Sequence, residues 1–500
     1  MVDHVLGRKS FILYISKMLT AALAYIGLKF ITIYLDKDVY GTVVAAMALV
    51  ATFNAVSDLG FSSAHVKRIS EGCDPNECIS TFAFIKIVLT TLMVVLTLSS
   101  IFIWTSVLGN TISGTSMDVI YIFILYQVLY DISGIATATF QARMEMAKMP
   151  LVTMIDPFIR VPLIIFICLN SMGVLELSFT YLFGAIAVLM TSLYLILREN
   201  IKWTRPTMLR SYYTFALPLL LITIVSTVSG SADKLLITFF WNKADVALYA
   251  APAVFLGVFA TISTAISTLT FPSFSKLHKE GNLREIRELT KGAERYIVMF
   301  GLPITILILM YPFNISEILL DQKYRDSGKA MGIMVVTTFI TMINAVHASQ
   351  IVAVGRPDIS ARITIITVII NIGLMLVFIP GFGLGLSFVG AALALLIGNV
   401  IGFVIVRFVV YRLTDTFPDK RLALHLLAGM VSAAALYVLG MVMPFDSWFS
   451  LAAFGTLALT SFLGALVLLK EFTRRDLDFL LDIMNVKKML SYIKEDLSHK

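Results

Sequence analysis

Apolar residues run along this chain in long blocks separated by short polar stretches. Fourteen blocks stand out, at about 11–35, 40–59, 81–105, 119–139, 149–171, 174–197, 212–240, 246–270, 293–313, 329–349, 360–380, 386–409, 421–443 and 448–469. Roughly 18 or more apolar residues in a row can cross a hydrocarbon core about 30 Å thick as a helix. Lipid offers backbone amides no partner, so each block must be a helix or part of a closed barrel. Strict alternation is absent, which excludes barrel strands. The pattern predicts an all-α integral membrane protein of 14 transmembrane helices. No small-residue cleavage site follows the first block, so it reads as a retained span rather than a signal peptide.

Composition agrees. Of the 500 residues, 58% are hydrophobic and 14% charged, against about 25% charged in a soluble domain. A soluble enzyme, a nucleic-acid-binding protein, a secreted disulfide scaffold and a disordered chain are excluded. With the N-terminus assigned to the cytoplasm, 29 of the 39 Lys and Arg fall on the cytoplasmic side. Lys37, Lys243, Lys323, Arg325 and Lys329 fall outside, and the remaining 5 lie within blocks. This bias predicts an even number of spans in the cytoplasmic membrane with both termini cytoplasmic. The net charge of +7 then reads as topology and contact with anionic membrane lipid, not nucleic acid. Residues 471–500 are too polar to span. Leu477, Leu480, Leu481 and Met484 recur there at helical spacing, as in an amphipathic helix on the inner membrane face or a solvated tail.

Two stretches resemble each other. Lys29-Phe-Ile-Thr-Ile-Tyr-Leu-Asp-Lys-Asp-Val39 leads to Ser70-Glu71-Gly72. Lys234-Leu-Leu-Ile-Thr-Phe-Phe-Trp-Asn-Lys-Ala-Asp-Val246 leads to Lys279-Glu280-Gly281. The offset of about six spans keeps both copies in one orientation, a parallel repeat of the kind transporters use. The expected organisation is an N-lobe of six helices over 1–200, a C-lobe of six over 201–415, two added helices over 416–470 and the tail. Lys29 and Lys234 are expected to face each other across a central cavity.

Charges within the blocks are the candidate chemistry, since one near mid-bilayer costs roughly 2.5–3.5 kcal/mol on the insertion scale. The cations are Lys17, Lys29, Lys86, Arg160 and Lys234, and the carboxylates Asp58, Asp131, Asp156 and Asp233. Lys86 and Asp58 lie near block ends, where snorkelling or helix capping would account for them. Lys29 and Lys234 sit in the outer half and could snorkel outward. Asp156 and Arg160 share a helix face at i,i+4, as a structural pair or as part of a site. Asp131 lies near mid-depth with no partner close in sequence, and suits a proton or cation. An excess of cations suits an anionic substrate.

Other chemistry is weakly supported. Cys73 and Cys78 share a loop with His65 and Asp74, but the spacing is poor for a metal, and no disulfide framework is indicated. Walker A, HExxH and nucleophile-elbow patterns are absent, so neither an enzyme nor a cofactor is expected. Gly383, Gly385 and Gly390 suit a turn and close helix packing.

Several stretches carry a resemblance: Ser57-Asp58-Leu59-Gly60-Phe61-Ser62-Ser63-Ala64 with Arg68-Ile69, Ser231-Ala232-Asp233-Lys234-Leu235-Leu236 with Val246-Ala247-Leu248-Tyr249-Ala250-Ala251, Phe271-Pro272-Ser273-Phe274-Ser275, Val354-Gly355-Arg356-Pro357, Asn371, Ile379-Pro380 and Gly390-Ala391-Ala392-Leu393-Ala394. Together they resemble the Wzx-type polysaccharide and oligosaccharide flippases of the multidrug/oligosaccharidyl-lipid/polysaccharide exporter superfamily, over most of the first twelve spans. The resemblance implies two six-helix lobes forming a V and alternating-access transfer of a polyprenyl- or dolichyl-pyrophosphate-linked oligosaccharide. It implies cavity cations that engage the headgroup, a role that would fall to Lys29 and Lys234, with Lys17, Lys86 and Arg160. A carboxylate among Asp131, Asp156, Asp233 and Asp58 would couple the motion to H+ or Na+. The Asp-Arg common in the seventh span of such proteins is Asp233-Lys234 here, which keeps the charge and loses the guanidinium fork. A cation-coupled multidrug exporter is the main alternative, and the excess of span cations argues against it. A membrane glycosyltransferase or polymerase would need longer outer loops.

Overall fold

The computed structural model describes residues 2–107, 109, 111–143, 145, 148–199, 201–473 and 476, and the side chains of all of these but 2–15, 218, 222 and 258–269. The described residues form helices and connections, with no strand. The helices are α1 (Val2–Tyr34), α2 (Lys37–Asp58), α3 (Phe61–Ser70), α4 (Pro75–Phe102, continued by a π-helical turn Ile103–Val107), α5 (Gly114–Ala142), α6 (Lys148–Leu169), α7 (Val174–Leu197) and α8 (Leu209–Phe240). They continue as α9 (Lys243–Lys279), α10 (Leu283–Met310), α11 (Pro312–Leu319), α12 (Gly328–Ala353), α13 (Pro357–Phe378), α14 (Ser387–Thr414), α15 (Leu422–Val442) and α16 (Trp448–Leu468). All but α3 and α11 are long, and each long helix holds one of the fourteen predicted blocks. Among the described residues, 13 are long and apolar enough to cross a membrane. The remaining long helix, α9, holds block 246–270.

Local chemistry sets where helices begin. Asp74 accepts from the Asn76 amide with Pro75 at the first helical position of α4, Ser113 accepts from Ser116 to start α5, and Asn282 accepts from Glu285 to start α10. At the α2–α3 corner, Leu59 and Gly60 both take positive φ, 47° and 86°, and a Cβ on Gly60 would lie 2.9 Å from Leu219 Cβ. Glycine suits that bend on both counts. Phe102, Phe166, Met190, Leu221, Val442 and Leu468 are exposed, an outward apolar surface that water would penalise and lipid accepts.

The chain divides into two compact units. The first unit is Lys9–Val254 with Ile372–Ala391. Here α7 packs on α5 and α6, and α2 packs on α4, α5 and α8. Its core gathers Phe61, Phe82, Phe140, Val152 and Tyr212. His65 is buried in that core, stacked on Phe82 at 4.3 Å. Its ring nitrogens meet Tyr212 Oη at 2.9 Å and Thr139 Oγ1 at 3.0 Å. The Ile372–Ala391 segment, a helical hairpin whose turn contains Gly383 and Gly385, is tied in by Trp241 Nε1 donating to Ile379 O at 2.7 Å and by Ser387 donating to Asp245.

The second unit comprises the described residues of Met1–Arg8, Phe255–Asn371 and Ala392–Lys500. Here α10 packs on α12, α15 and α16 around Phe274, Ile297, Met299, Val346 and Phe462. Buried Arg295 donates to Glu471 Oε1 at 2.6 Å and to Asp476 Oδ1 at 2.7 Å. The first described residues of the polar tail are thus pinned to α10. The rest of the predicted amphipathic stretch, including Leu477–Met484, lies outside the described residues.

Candidate functional site: a cationic cavity in the first unit

A cavity of about 540 Å³ lies within the first unit, among α1, α2, α5, α6, α7, α8 and the start of α9. Much of its lining is small or aliphatic, as at Ala24, Gly27, Leu28 and Ile31 of α1 and Val44, Met47 and Ala48 of α2. Its polar lining is Tyr40, Tyr126, Gln127, Tyr181, Ser231 and two cations, Arg160 and Lys234. Both cations belong to Asp–cation pairs whose carboxylate is absent from the lining.

Arg160 sits on α6, which runs unbroken through Pro157 and Pro162. One turn separates it from Asp156, and Arg160 Nη2 lies 2.8 Å from Asp156 Oδ2. The guanidinium also covers the Tyr181 ring at 4.5 Å, a stacking that a planar cation favours. Asp156 is pressed against α7, where a Cβ on Gly184 would fall 2.0 Å from its Oδ1. Lys234 on α8 is held 3.1 Å from Asp233 Oδ1 and donates to Gly230 O at 3.2 Å. Tyr249 donates to the other oxygen of Asp233 at 2.8 Å. Asp156 and Asp233 are buried, so each pair presents its positive end to the cavity.

Asp131 has a partner after all, and it comes from another helix. Lys86 of α4 lies 3.1 Å from Asp131 Oδ1 and 3.9 Å from Asp58 Oδ1. It also donates to Ser57 O at 3.0 Å, while Ser57 Oγ donates to Asp131 Oδ1 at 3.0 Å. Lys86 is therefore buried between two carboxylates rather than snorkelling, and does not line the cavity. Asp58 also accepts from the Gly60 and Ser62 amides at 3.3 Å, steadying the start of α3.

The expected meeting of Lys29 with Lys234 does not occur in this cavity. Ala24, Gly27, Leu28 and Ile31 form the cavity stripe of α1, and at 100° per residue Lys29 lies about 150° round the helix from its centre. Lys29 is half-buried on that other side. Lys17 is exposed and lies within about 30° of the stripe, two turns toward the helix start.

Sequence reasoning missed Tyr126, Tyr181 and Gln127, whose spacing blends into the apolar run of their helices. It also missed a charged cluster in the second unit: Glu294, His347 and Arg407. A histidine inside an apolar block was the available signal. Among the described residues no group of His, Cys, Asp or Glu is arranged to hold a metal ion. Cys78 Sγ lies 3.6 Å from Met208 Sδ, and His65 is committed to Tyr212 and Thr139, so the Cys73–Cys78 loop assembles no ligand set.

Comparison with known proteins gives a consistent picture. The family described as polysaccharide biosynthesis protein matches residues 34–329. The probable low-salt glycan biosynthesis flippase Agl15 of Haloferax volcanii is 20% identical over 400 residues, covering 79% of this chain and 82% of that protein. The probable flippase AglR of the same organism is 25% identical over 197 residues, 37% of this chain and 39% of that one. Among solved structures, the lipid II flippase MurJ in an inward closed conformation superposes with a TM-score of 0.76 at 14% identity, covering 91% of this chain and 98% of that chain. An inward-facing multidrug resistance MATE family transporter of the MOP superfamily gives 0.63 at 14% identity, covering 79% and 96%. The fold is the one these transporters share.

Proposed function

The chain belongs to the polysaccharide biosynthesis protein family, and from that premise we propose that it is a flippase for a polyprenyl- or dolichyl-(pyro)phosphate-linked oligosaccharide. It works in the cytoplasmic membrane, with both termini cytoplasmic, by alternating access driven by an ion gradient. The observation that carries this reading is the cavity into which Arg160 and Lys234 project while Asp156 and Asp233 stay behind them. A phosphate oxygen about 4 Å from a cation and about 7 Å from its carboxylate gains roughly 2 kcal/mol per pair at an effective dielectric near 20. Two pairs give an appreciable preference for an anionic headgroup, yet one weak enough to allow release. The tyrosines and the aliphatic face of α1 suit the less polar faces of sugars, while the prenyl tail stays in lipid. The names of Agl15 and AglR support the same assignment.

The test is transfer of a fluorescent lipid-linked oligosaccharide in proteoliposomes. Arg160→Gln and Lys234→Gln are each expected to slow transfer at least about tenfold, which corresponds to about 1.4 kcal/mol, and Lys29→Gln to slow it less. Unchanged transfer in both cavity variants would remove the headgroup role. Transport of organic cations in place of the glycolipid would move the assignment to a drug exporter.

A further inference from the structure

We propose that Glu294, His347 and Arg407 form a proton-binding site in the second unit, where a proton arriving on His347 takes Glu294 away from Arg407. The inference deepens the flippase reading by naming where a proton gradient acts, and rests on that reading for its purpose.

The three residues come from α10, α12 and α14. His347 is 0% and Glu294 3% exposed, while the Arg407 side chain keeps 15%. Arg407 Nη1 donates to Glu294 Oε2 at 3.0 Å and lies 2.7 Å from His347 Nε2. A guanidinium can only donate, so Nε2 carries the lone pair and the ring proton sits on Nδ1. That Nδ1 is buried with no partner among the described residues. The ring is therefore neutral, and its one bonded nitrogen accepts from a cation.

Protonation reverses this. Once Nε2 bears a proton it cannot face the Nη1 donor, and two cations at that distance repel. Glu294 Oε2 stands 3.8 Å from Nε2, too far for a hydrogen bond but less than about 1 Å of movement from one. The imidazolium and the guanidinium thus compete for one carboxylate oxygen. When the imidazolium takes it, Arg407 is the group released, and it is the one of the three that reaches the surface. Its guanidinium carbon lies 5.9 Å from the Phe403 ring, an aromatic face beside the cation that is released.

Other groups at the site fit an exchange. On α10, Arg295 is committed to Glu471 and Asp476, leaving Glu294 to face the ring. On α14 the charged group facing it is Arg407, and one turn along α12 is the neutral Gln350. That glutamine accepts from Thr290 at 3.0 Å and donates to Thr414 at 2.8 Å. A neutral layer therefore ties the same three helices together while the charged layer changes partners. At Asp58, Asp131, Asp156 and Asp233 the situation differs. Each is paired with a Lys or Arg and, among the described residues, has no imidazole against it, so a proton there could go only to the carboxylate itself. An imidazole is a side chain that gains a charge when it takes up a proton, and His347 stands within reach of a carboxylate that Arg407 already holds.

The test uses the full-length chain in nanodiscs with ring-¹⁵N histidine. Six histidines make the spectrum countable, and loss of one signal in His347→Gln, or His347→Asn if the first does not fold, assigns the ring. The expected result is that Nε2 of His347 passes from unprotonated to protonated between pH 8 and pH 5. Arg407→Gln should move the midpoint up by a unit or more, and Glu294→Gln should move it down. An Nε2 that stays unprotonated down to pH 5 overturns the site. A midpoint unmoved by Arg407→Gln overturns the exchange. Neither measurement needs a cargo. Normal titration with no glycolipid transfer would sink the flippase and leave the proton site standing, and the converse result would do the reverse.

Discussion

At the scale of single residues, the charges buried among the described residues are matched charges. Lys86 occupies a space bounded by Asp131, Asp58 and a backbone carbonyl, and removing it strands the buried carboxylate of Asp131. Breaking a buried pair from one side costs about 3–5 kcal/mol. Lys86→Met is therefore expected to lower the thermal midpoint in detergent sharply, and Lys86→Met with Asp131→Leu to recover much of the loss. No recovery would mean that the lysine acts through packing alone. His65 makes a second prediction. Burial, with Arg143 adding to it, pushes its imidazole down to about 3, whereas in the unfolded chain it titrates near 6.5. Its stabilising contribution is thus complete above pH 6.5 and is lost as pH falls toward 3, by roughly 4–5 kcal/mol over that window. A His65→Asn variant that folds should lack this part of the acid sensitivity, measured as the difference in unfolding midpoint between pH 7 and pH 4. The sequence shows that Asp131 and Lys86 are costly where they are. It does not show that they meet, because they lie 45 residues apart on two helices.

At the scale of elements, the cavity depends on how closely helices approach. Gly184 lets α7 lie against Asp156, which in turn fixes Arg160. Gly184→Ala places a methyl where Asp156 Oδ1 now sits, and overpacking of this kind costs about 1–3 kcal/mol. Alanine is otherwise the better helix former by about 1 kcal/mol, so a net loss of stability with slower transfer would report the clash. A stabilised protein with unchanged transfer would show that α7 has room to retreat. Helix positions were legible throughout, since each apolar block became a long helix. Helix faces were not. On α1 the pattern is apolar nearly all round, so nothing in it marks Gly27 and Ile31 as cavity-facing and Lys29 as turned away. The Asp156–Arg160 pair was legible because its partners share one helix, where spacing alone decides the contact.

At the scale of the whole molecule, the tail is fastened where it leaves the last long helix. The Arg295 guanidinium beside Asp476 holds that carboxyl below the usual range. This contribution is present above about pH 4 and is lost as the pH falls further. Arg295→Met is expected to raise the rate of limited proteolysis after Leu468 about tenfold or more at neutral pH, and an unchanged rate would show that the apolar contact of Phe472 suffices. The polar composition of the tail was plain in the sequence, but its anchor lies 176 residues earlier at Arg295. The first unit has a consequence for how the protein is made. It is built from Lys9–Val254 and a hairpin, Ile372–Ala391, that the ribosome delivers more than a hundred residues later. Until that hairpin emerges, Trp241 and Asp245 wait without Ile379 and Ser387. A chain stalled between these two segments would hold the first unit without the contacts that close it, so its assembly is completed late in synthesis.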